Sequence, residues 1–317
     1  MPRKLSHLIA AISIFAVLCT SCGDNTNKPA KADKQDNVVA GMHHTDSLRS
    51  KITAYIGAKH LNIGVAVMHL EPGDTLSING HEHYAMMSTC KFPQAITLLH
   101  LVDSGKLDRN VRLHITAYDL TQPTHSTLQK DHPHAPFDLT IPEALAYSIG
   151  QSDNVTSNVI FAMDGGPGAV EAYIHTLGIT EIGVGTDYRH MRNDSLYRNW
   201  ITPMGAVGLL NKFYTHKILS DTSRAILWKA MVEAPNGKDR LPGLLPPGTV
   251  IGHKTGTSGR DTANVCTAFN DIGIIQLPDG KHIAVAVFIA KSPAKDEENA
   301  KTIAEIGKMV WDFYAAK

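Results

Sequence analysis

Three short polar motifs, far apart in a chain of 317 residues, restrict its fold more than any bulk property: Ser88-Thr-Cys-Lys91, Ser152-Asp153-Asn154 and His253-Lys254-Thr255-Gly256. A serine hydroxyl is a poor nucleophile at neutral pH and needs a base beside it, an acid for the leaving group, and polar groups that clamp an acyl substrate. The motifs supply these parts only in a fold that brings positions 88, 152 and 254 together. Ser88 and Lys91 are three apart, so on a helix they share one face and their side chains meet. An amine that is desolvated or held near other cations loses its proton and becomes that base. Ser152 is placed to carry a proton to the leaving group. Ser152-Asp153-Asn154 also reads as a helix cap, the structural role expected of Asp153.

The hydrophobic pattern sets the elements around these motifs. Residues 45 to 58 carry Leu48, Ile52, Tyr55 and Ile56 at helical spacing. Asn62 to His69 reads as a strand, Gly73-Asp74 as a hairpin turn, and Thr75 to Ile78 as its return. Residues 88 to 103 read as a helix with a buried stripe of Phe92, Ala95, Ile96, Leu99 and Val102, and Ser88 opens it. Unpaired N–H groups at such a start favour developing negative charge. Thr140-Ile-Pro-Glu143 is a capping box with proline in the first turn. Asn154 to Asp164 continues as a helix, Thr249 to Lys254 and Ile283 to Ala290 read as strands, and Asp296 to Tyr314 as a terminal helix. Thr121 to Pro136 is expected to be a surface loop near a cleft rim. Cys90 lies two positions after Ser88, so it points away from it as a buried free thiol rather than half of a disulfide with Cys266.

The segments MMSTCKFPQA, YSIGQSDNVTSN and GHKTGTSGR resemble the serine β-lactamases of class A. The likeness is to the branch common in Bacteroidota, where HKTG is followed by a later stretch such as Asn270-Asp-Ile-Gly273, and it covers roughly residues 45 to 315. It implies an α/β (α+β) fold of the β-lactamase/transpeptidase kind. In that fold a five-stranded antiparallel sheet flanked by helices packs beside an all-helical subdomain, with the active site between them. It also implies hydrolysis of the β-lactam amide through an acyl-serine intermediate, with no cofactor and no metal. Ser88, Lys91 and Ser152 take the catalytic roles. Asn154, Lys254, Thr255, Gly256 and Thr257 bind substrate, and the N–H groups of Ser88 and Thr257 form the oxyanion hole. Arg260 is a further candidate for the substrate carboxylate. The same motifs occur in D-Ala-D-Ala peptidases and in proteins that bind a β-lactam without hydrolysing it, so both remain alternatives.

One part of the pattern is missing. The family has a Glu that activates the water for deacylation, and no Glu occurs between Glu181 and Glu233. Asp187 follows Thr186 as Glu follows Thr in related sequences, and is expected to be the base. An alignment anchored on Met191 instead puts Tyr188 in that place. Among 17 histidines, His81-x-His83 and His132-x-His134 have metal-ligand spacing but are read as solvated loop residues. With 30 basic and 30 acidic residues the chain has no electrostatic footprint for nucleic acid. A monomer acting on a small β-lactam is expected.

The N-terminus reads as an export signal. Arg3 and Lys4 precede an apolar run from Leu8 to Leu18, too short to span a bilayer, and Thr20-Ser21 lead to Cys22. Residues 1–21 are the expected signal peptide, 22–42 a flexible tether, and 43–317 the catalytic domain, with a helical subdomain at roughly 88–215. Cys22 is either the lipid-bearing first residue of a periplasmic lipoprotein or a bystander to ordinary cleavage near Ser21. Labelling cells with a palmitate analogue separates the two. The lipoprotein reading expects a label on the wild type that is lost in Cys22→Ala, and an unlabelled wild type leaves ordinary cleavage.

Overall fold

The computed structural model describes residues 45–71, 74–215 and 218–316. The expected leader, tether and Cys22, and Gly73 of the expected turn, lie outside the described residues. Helix α1 (Asp46–Gly57) leads into strands β1 (Asn62–His69), β2 (Thr75–Ile78) and β3 (Tyr84–Ala85). A 3-10 turn, Met87–Cys90, then runs into α2 (Lys91–Asp103). Next come β4 (Arg112–Ile115), α3 (Ala117–Leu120), α4 (Leu128–Asp131), β5 (Phe137–Thr140) and α5 (Ile141–Leu145). After them follow α6 (Asn154–Asp164), α7 (Pro167–Thr176), β6 (Ile182–Val184), β7 (Asn199–Ile201), α8 (Pro203–Thr215) and α9 (Asp221–Val232). The chain closes with β8 (Ile251–Thr257), β9 (Cys266–Gln276), β10 (His282–Ser292) and α10 (Asp296–Ala315).

The main sheet has the order β2-β1-β10-β9-β8 and every pairing is antiparallel, so the expected five-stranded antiparallel sheet is present. It brings the last three strands in the chain against the first two. Its central strands are buried on both faces because both faces are covered. Along β10, Ile283, Val285, Val287 and Ile289 point into the core shared with α1 and α10. The alternate positions Ala284, Ala286, Phe288 and Ala290 face the helical body. Alanine on that face lets α8 lie close against β1 and β10. Close approach also explains Gly64 on β1, where a Cβ would sit 2.5 Å from the Tyr84 ring and 2.8 Å from Pro203.

On the helical side, α2 and α6 pack together. Thr140 and Glu143 form the anticipated capping box, the Thr140 N–H donating to Glu143 Oε2 at 2.8 Å and the Glu143 N–H to Thr140 Oγ1 at 3.4 Å. Past α5 the backbone widens into a π-helical turn, Ala146–Gly150, and then breaks. Asp153 restarts it as α6 by accepting from Thr156 N–H at 2.7 Å. Both cysteines of the described chain are free and buried, as expected for Cys90.

Phe288 is fully enclosed at the centre of β10 and stacks on Tyr84 with ring centroids 5.5 Å apart. Replacing it by alanine empties the joint between sheet and helices, at a cost of about 3–5 kcal/mol. Urea unfolding followed by circular dichroism should show this as a lower midpoint with an unchanged slope.

Candidate active site

Sheet and helices meet at the turn that carries Ser88. Met87, just before it, has a left-handed backbone with φ 49°. Strand β8 presses directly on this turn: a Cβ at Gly256 would lie 2.4 Å from the Met86 carbonyl and 3.2 Å from the Ser88 nitrogen. Only glycine permits that approach. From β9, the Asn270 side chain donates to the carbonyls of Ala85 at 2.8 Å and Met86 at 3.3 Å. Asn270 thus braces from the sheet the backbone that leads into Ser88.

Lys91, one turn on, is completely buried. Its Nζ donates to Ser88 Oγ at 3.0 Å and to Asn154 Oδ1 at 2.7 Å, and lies 3.9 Å from the centroid of the Tyr188 ring. Burial pushes its pKa well below the usual lysine range, and the nearby Lys254 pushes it further, partly opposed by Asp153. Such a lysine is shifted toward the neutral amine that can take a proton from Ser88.

Ser152, left-handed at φ 62°, turns its hydroxyl to Lys254 Nζ at 3.0 Å. Lys254 also donates to the Thr255 carbonyl at 3.0 Å. Its pKa falls to about 7, mainly through burial, with Asp271 opposing and Arg240 adding to the shift. Asp271 is itself held on β9 by His253 Nδ1 at 3.0 Å and by the Leu241 N–H at 3.1 Å. Asn154 donates to Thr124 Oγ1 at 2.9 Å, tying α6 to the rim segment. Buried Asp153 accepts from Ser126 Oγ at 2.5 Å, Leu128 N–H at 3.0 Å and Thr156 Oγ1 at 2.9 Å, the structural role its cap position suggested.

Ser88, Ser152, Asn154, Thr255 and Thr257 therefore line one cavity of about 1140 Å³, with Lys91 and Lys254 beneath it. Gln122, Pro123, Thr124 and His125 form part of its wall, placing the expected rim segment at the opening. That segment is more than loop, since α4 lies within it and Leu128 is fully buried. Four arginines and one carboxylate, Asp261, line the cavity, and two of the arginines are paired with carboxylates outside that lining, Arg189 with Asp119 and Arg260 with Asp296. Arg260 is committed elsewhere, to the carbonyls of Asn264 and Ala294 and to Asp296. Arg240 is more central, donating to the Asn270 carbonyl at 2.7 Å and Thr257 Oγ1 at 2.6 Å while stacking on Phe269. No sequence motif marked Arg240, because it reaches β8 from the turn after α9.

Asp187 stands apart from this cluster. Its carboxylate accepts from the backbone N–H of His190 at 2.9 Å and meets His190 Nδ1 at 2.7 Å, and the residue does not line the cavity. The loop is anchored on either side of it. Asn199 Oδ1 accepts from the Gly185 and Thr186 N–H groups at 3.0 Å each, and Asn158 Oδ1 accepts from Tyr188 N–H at 3.0 Å. With those ends pinned, Tyr188 turns inward and its hydroxyl donates to the Met87 carbonyl at 3.1 Å. The paired histidines are engaged too: His81 bonds Glu181 at 2.6 Å, His83 stacks on Trp200, and His132 stacks on Phe137.

Comparison with known proteins agrees with this geometry. Residues 47–314 match the model of the Beta-lactamase enzyme family. The chain is 36% identical over 284 residues to β-lactamase VEB-1 of Pseudomonas aeruginosa, covering 88% of this chain and 94% of that one. It is 39% identical over 272 residues to the extended-spectrum β-lactamase PER-1 of the same organism, covering 85% and 88%. A crystal structure of a β-lactamase from Chitinophaga pinensis superposes with TM-score 0.82 at 37% identity, covering 86% of this chain and 100% of that one. That of the TLA-1 extended-spectrum β-lactamase gives 0.83 at 39%, covering 86% and 99%. The chain belongs to the β-lactamase enzyme family, in its class A serine branch.

The low pKa of Lys254 sets a pH limit. It is half charged near pH 7 and loses the rest of its charge as pH rises above that value. The kcat/KM for benzylpenicillin, an anion, should fall on the alkaline side of neutrality, since kcat/KM reports the free protein's titrating groups. A stopped-flow pH series flat from pH 6 to about 9 would contradict this assignment.

Proposed function

We propose that this protein hydrolyses the β-lactam amide through an ester on Ser88. The observation that carries the reading is the buried Lys91 amine, 3.0 Å from Ser88 Oγ and bonded otherwise to a neutral amide oxygen. Neutral Lys91 removes the hydroxyl proton as Ser88 Oγ attacks the lactam carbonyl carbon. The N–H groups of Ser88 and Thr257 stabilise the oxyanion. As the C–N bond breaks, Ser152 passes a proton to the leaving nitrogen, helped by Lys254 at 3.0 Å. Asn154 holds the amide side chain of the substrate, and Lys254, Thr255, Gly256 and Thr257 frame its carboxylate. Water then cleaves the ester and regenerates the Ser88 hydroxyl.

Several relatives are β-lactamases by name, which supports hydrolysis over peptidase action or simple sequestration. Export and a lipid on Cys22 belong to the same proposal, because the substrate is met outside the cytoplasm.

Ser88→Ala tests the centre of the reading. The substitution removes a hydroxyl at a turn and little volume, so the fold should persist. Turnover of a chromogenic cephalosporin should drop by at least about 1000-fold, as happens when a nucleophile is lost. Intact mass after incubation with penicillin should show an adduct on the wild type alone. An adduct at full yield on the variant would move the nucleophile elsewhere.

A further inference from the structure

Releasing an acyl group from Ser88 requires a water molecule near the ester carbonyl and a base within hydrogen-bond reach of it. The flank of Ser88 on the Lys91 side is occupied by Tyr188. Its ring centroid lies 3.9 Å from Lys91 Nζ, and its hydroxyl donates to the Met87 carbonyl at 3.1 Å, beside the Ser88 side chain. Asn158 fixes the Tyr188 backbone from α6 at 3.0 Å, and Phe161 packs beside the ring. The ring is therefore wedged in place.

No described carboxylate offers a substitute at that flank. Asp187 is turned to His190. Asp153 is consumed by its bonds to Ser126, Leu128 and Thr156. Asp261, the one carboxylate among the described residues lining the cavity, caps the N–H groups of Ala263 and Val265 at 2.9 Å each. The Tyr188 phenol cannot act as the base near neutral pH either, because burial holds its pKa well above the ordinary tyrosine range.

We propose that Tyr188 makes deacylation the slow half of the reaction: its ring fills the space from which water would attack, so the Ser88 ester is the main species during turnover. In the step it impedes, a water oxygen bonds to the acyl carbon and the carbon–Oγ bond breaks. One water proton returns to Ser88 Oγ by way of the base, and the product leaves as a carboxylic acid. Neutral Lys91, 3.0 Å from Ser88 Oγ, is the one described group placed to relay that proton. Tyr188 is then a rate-setting residue, and the protein is fast at capturing a β-lactam and slow at releasing it.

This inference rests on the acyl-Ser88 reading, and rapid-quench mass spectrometry with benzylpenicillin separates the two. The wild type should show a burst of about one product per protein and most of the protein as adduct, with a steady-state rate at least about tenfold below the burst. Tyr188→Glu supplies a carboxylate and frees space, and should shorten the adduct lifetime at least about tenfold with a smaller change in the burst. Tyr188→Phe keeps the ring and should keep the long lifetime. Absence of both adduct and product in the wild type would sink the acyl-Ser88 reading itself. Steady turnover from the first cycle, with little adduct, would leave that reading intact and overturn the role of Tyr188. So would a Tyr188→Phe adduct as short-lived as that of Tyr188→Glu, or equal lifetimes in the wild type and in Tyr188→Glu.

Discussion

Strand β8 rests backbone to backbone on the turn that holds Ser88, and the rest of the site is arranged around that contact. Gly256 makes it possible by having no side chain, and Asn270 makes it stiff by holding two carbonyls of the segment before Ser88. One element belongs to the sheet and the other opens the principal helix. The contact therefore fixes the distance across the cleft and places Lys254 and Ser152 opposite Lys91 and Ser88. A methyl group at position 256 would have to displace backbone atoms, which cannot swing aside as a side-chain end can.

The electrostatics follow from the same enclosure. Two lysines are buried close enough to repel each other, and neither bonds directly to a carboxylate. Burial of charge without a partner is costly, and shifting toward the neutral form relieves that cost. A carboxylate lies behind each lysine, Asp271 for Lys254 and Asp153 for Lys91, but their direct contacts differ: Lys254 meets the Ser152 hydroxyl and the Thr255 carbonyl, Lys91 the Ser88 hydroxyl, the Asn154 oxygen and the face of Tyr188. Neighbouring residues thus give two chemically identical side chains different surroundings, with both pKa values lowered and that of Lys254 brought to about 7.

Much of this arrangement could be read from the chain. The strand at Asn62–His69, the capping box at Thr140, helix Asn154–Asp164 and the terminal helix all have strong local signals, and local signals are what sequence periodicity reports. Ser88, Lys91, Ser152, Asn154 and Lys254 meet as their motifs implied, because the first two motifs lead into helices and the third lies within strand β8. Strand β9 was visible only as a four-residue resemblance, and α8 and α9 were not assigned. The first is buried on both faces, so it has no alternation to detect. Tyr188 and Arg240 are the instructive cases at the site. Their positions depend on distant anchors, Asn158 and Asn199 for one and the carbonyls of Gly256 and Asn270 for the other. Nothing near either residue in sequence encodes those anchors.

The shut-in cysteines carry a consequence of another kind. Cys90 lies immediately before Lys91, yet none of its surface meets solvent, and burial pushes its thiol up to about 12. Cys266 is equally enclosed on β9. A sulfur shut away from solvent is neither a nucleophile nor a partner for exchange. The native state of the described chain therefore needs no oxidant to form and offers no purchase to glutathione once formed. Its stability is indifferent to the redox poise of whichever compartment it folds in.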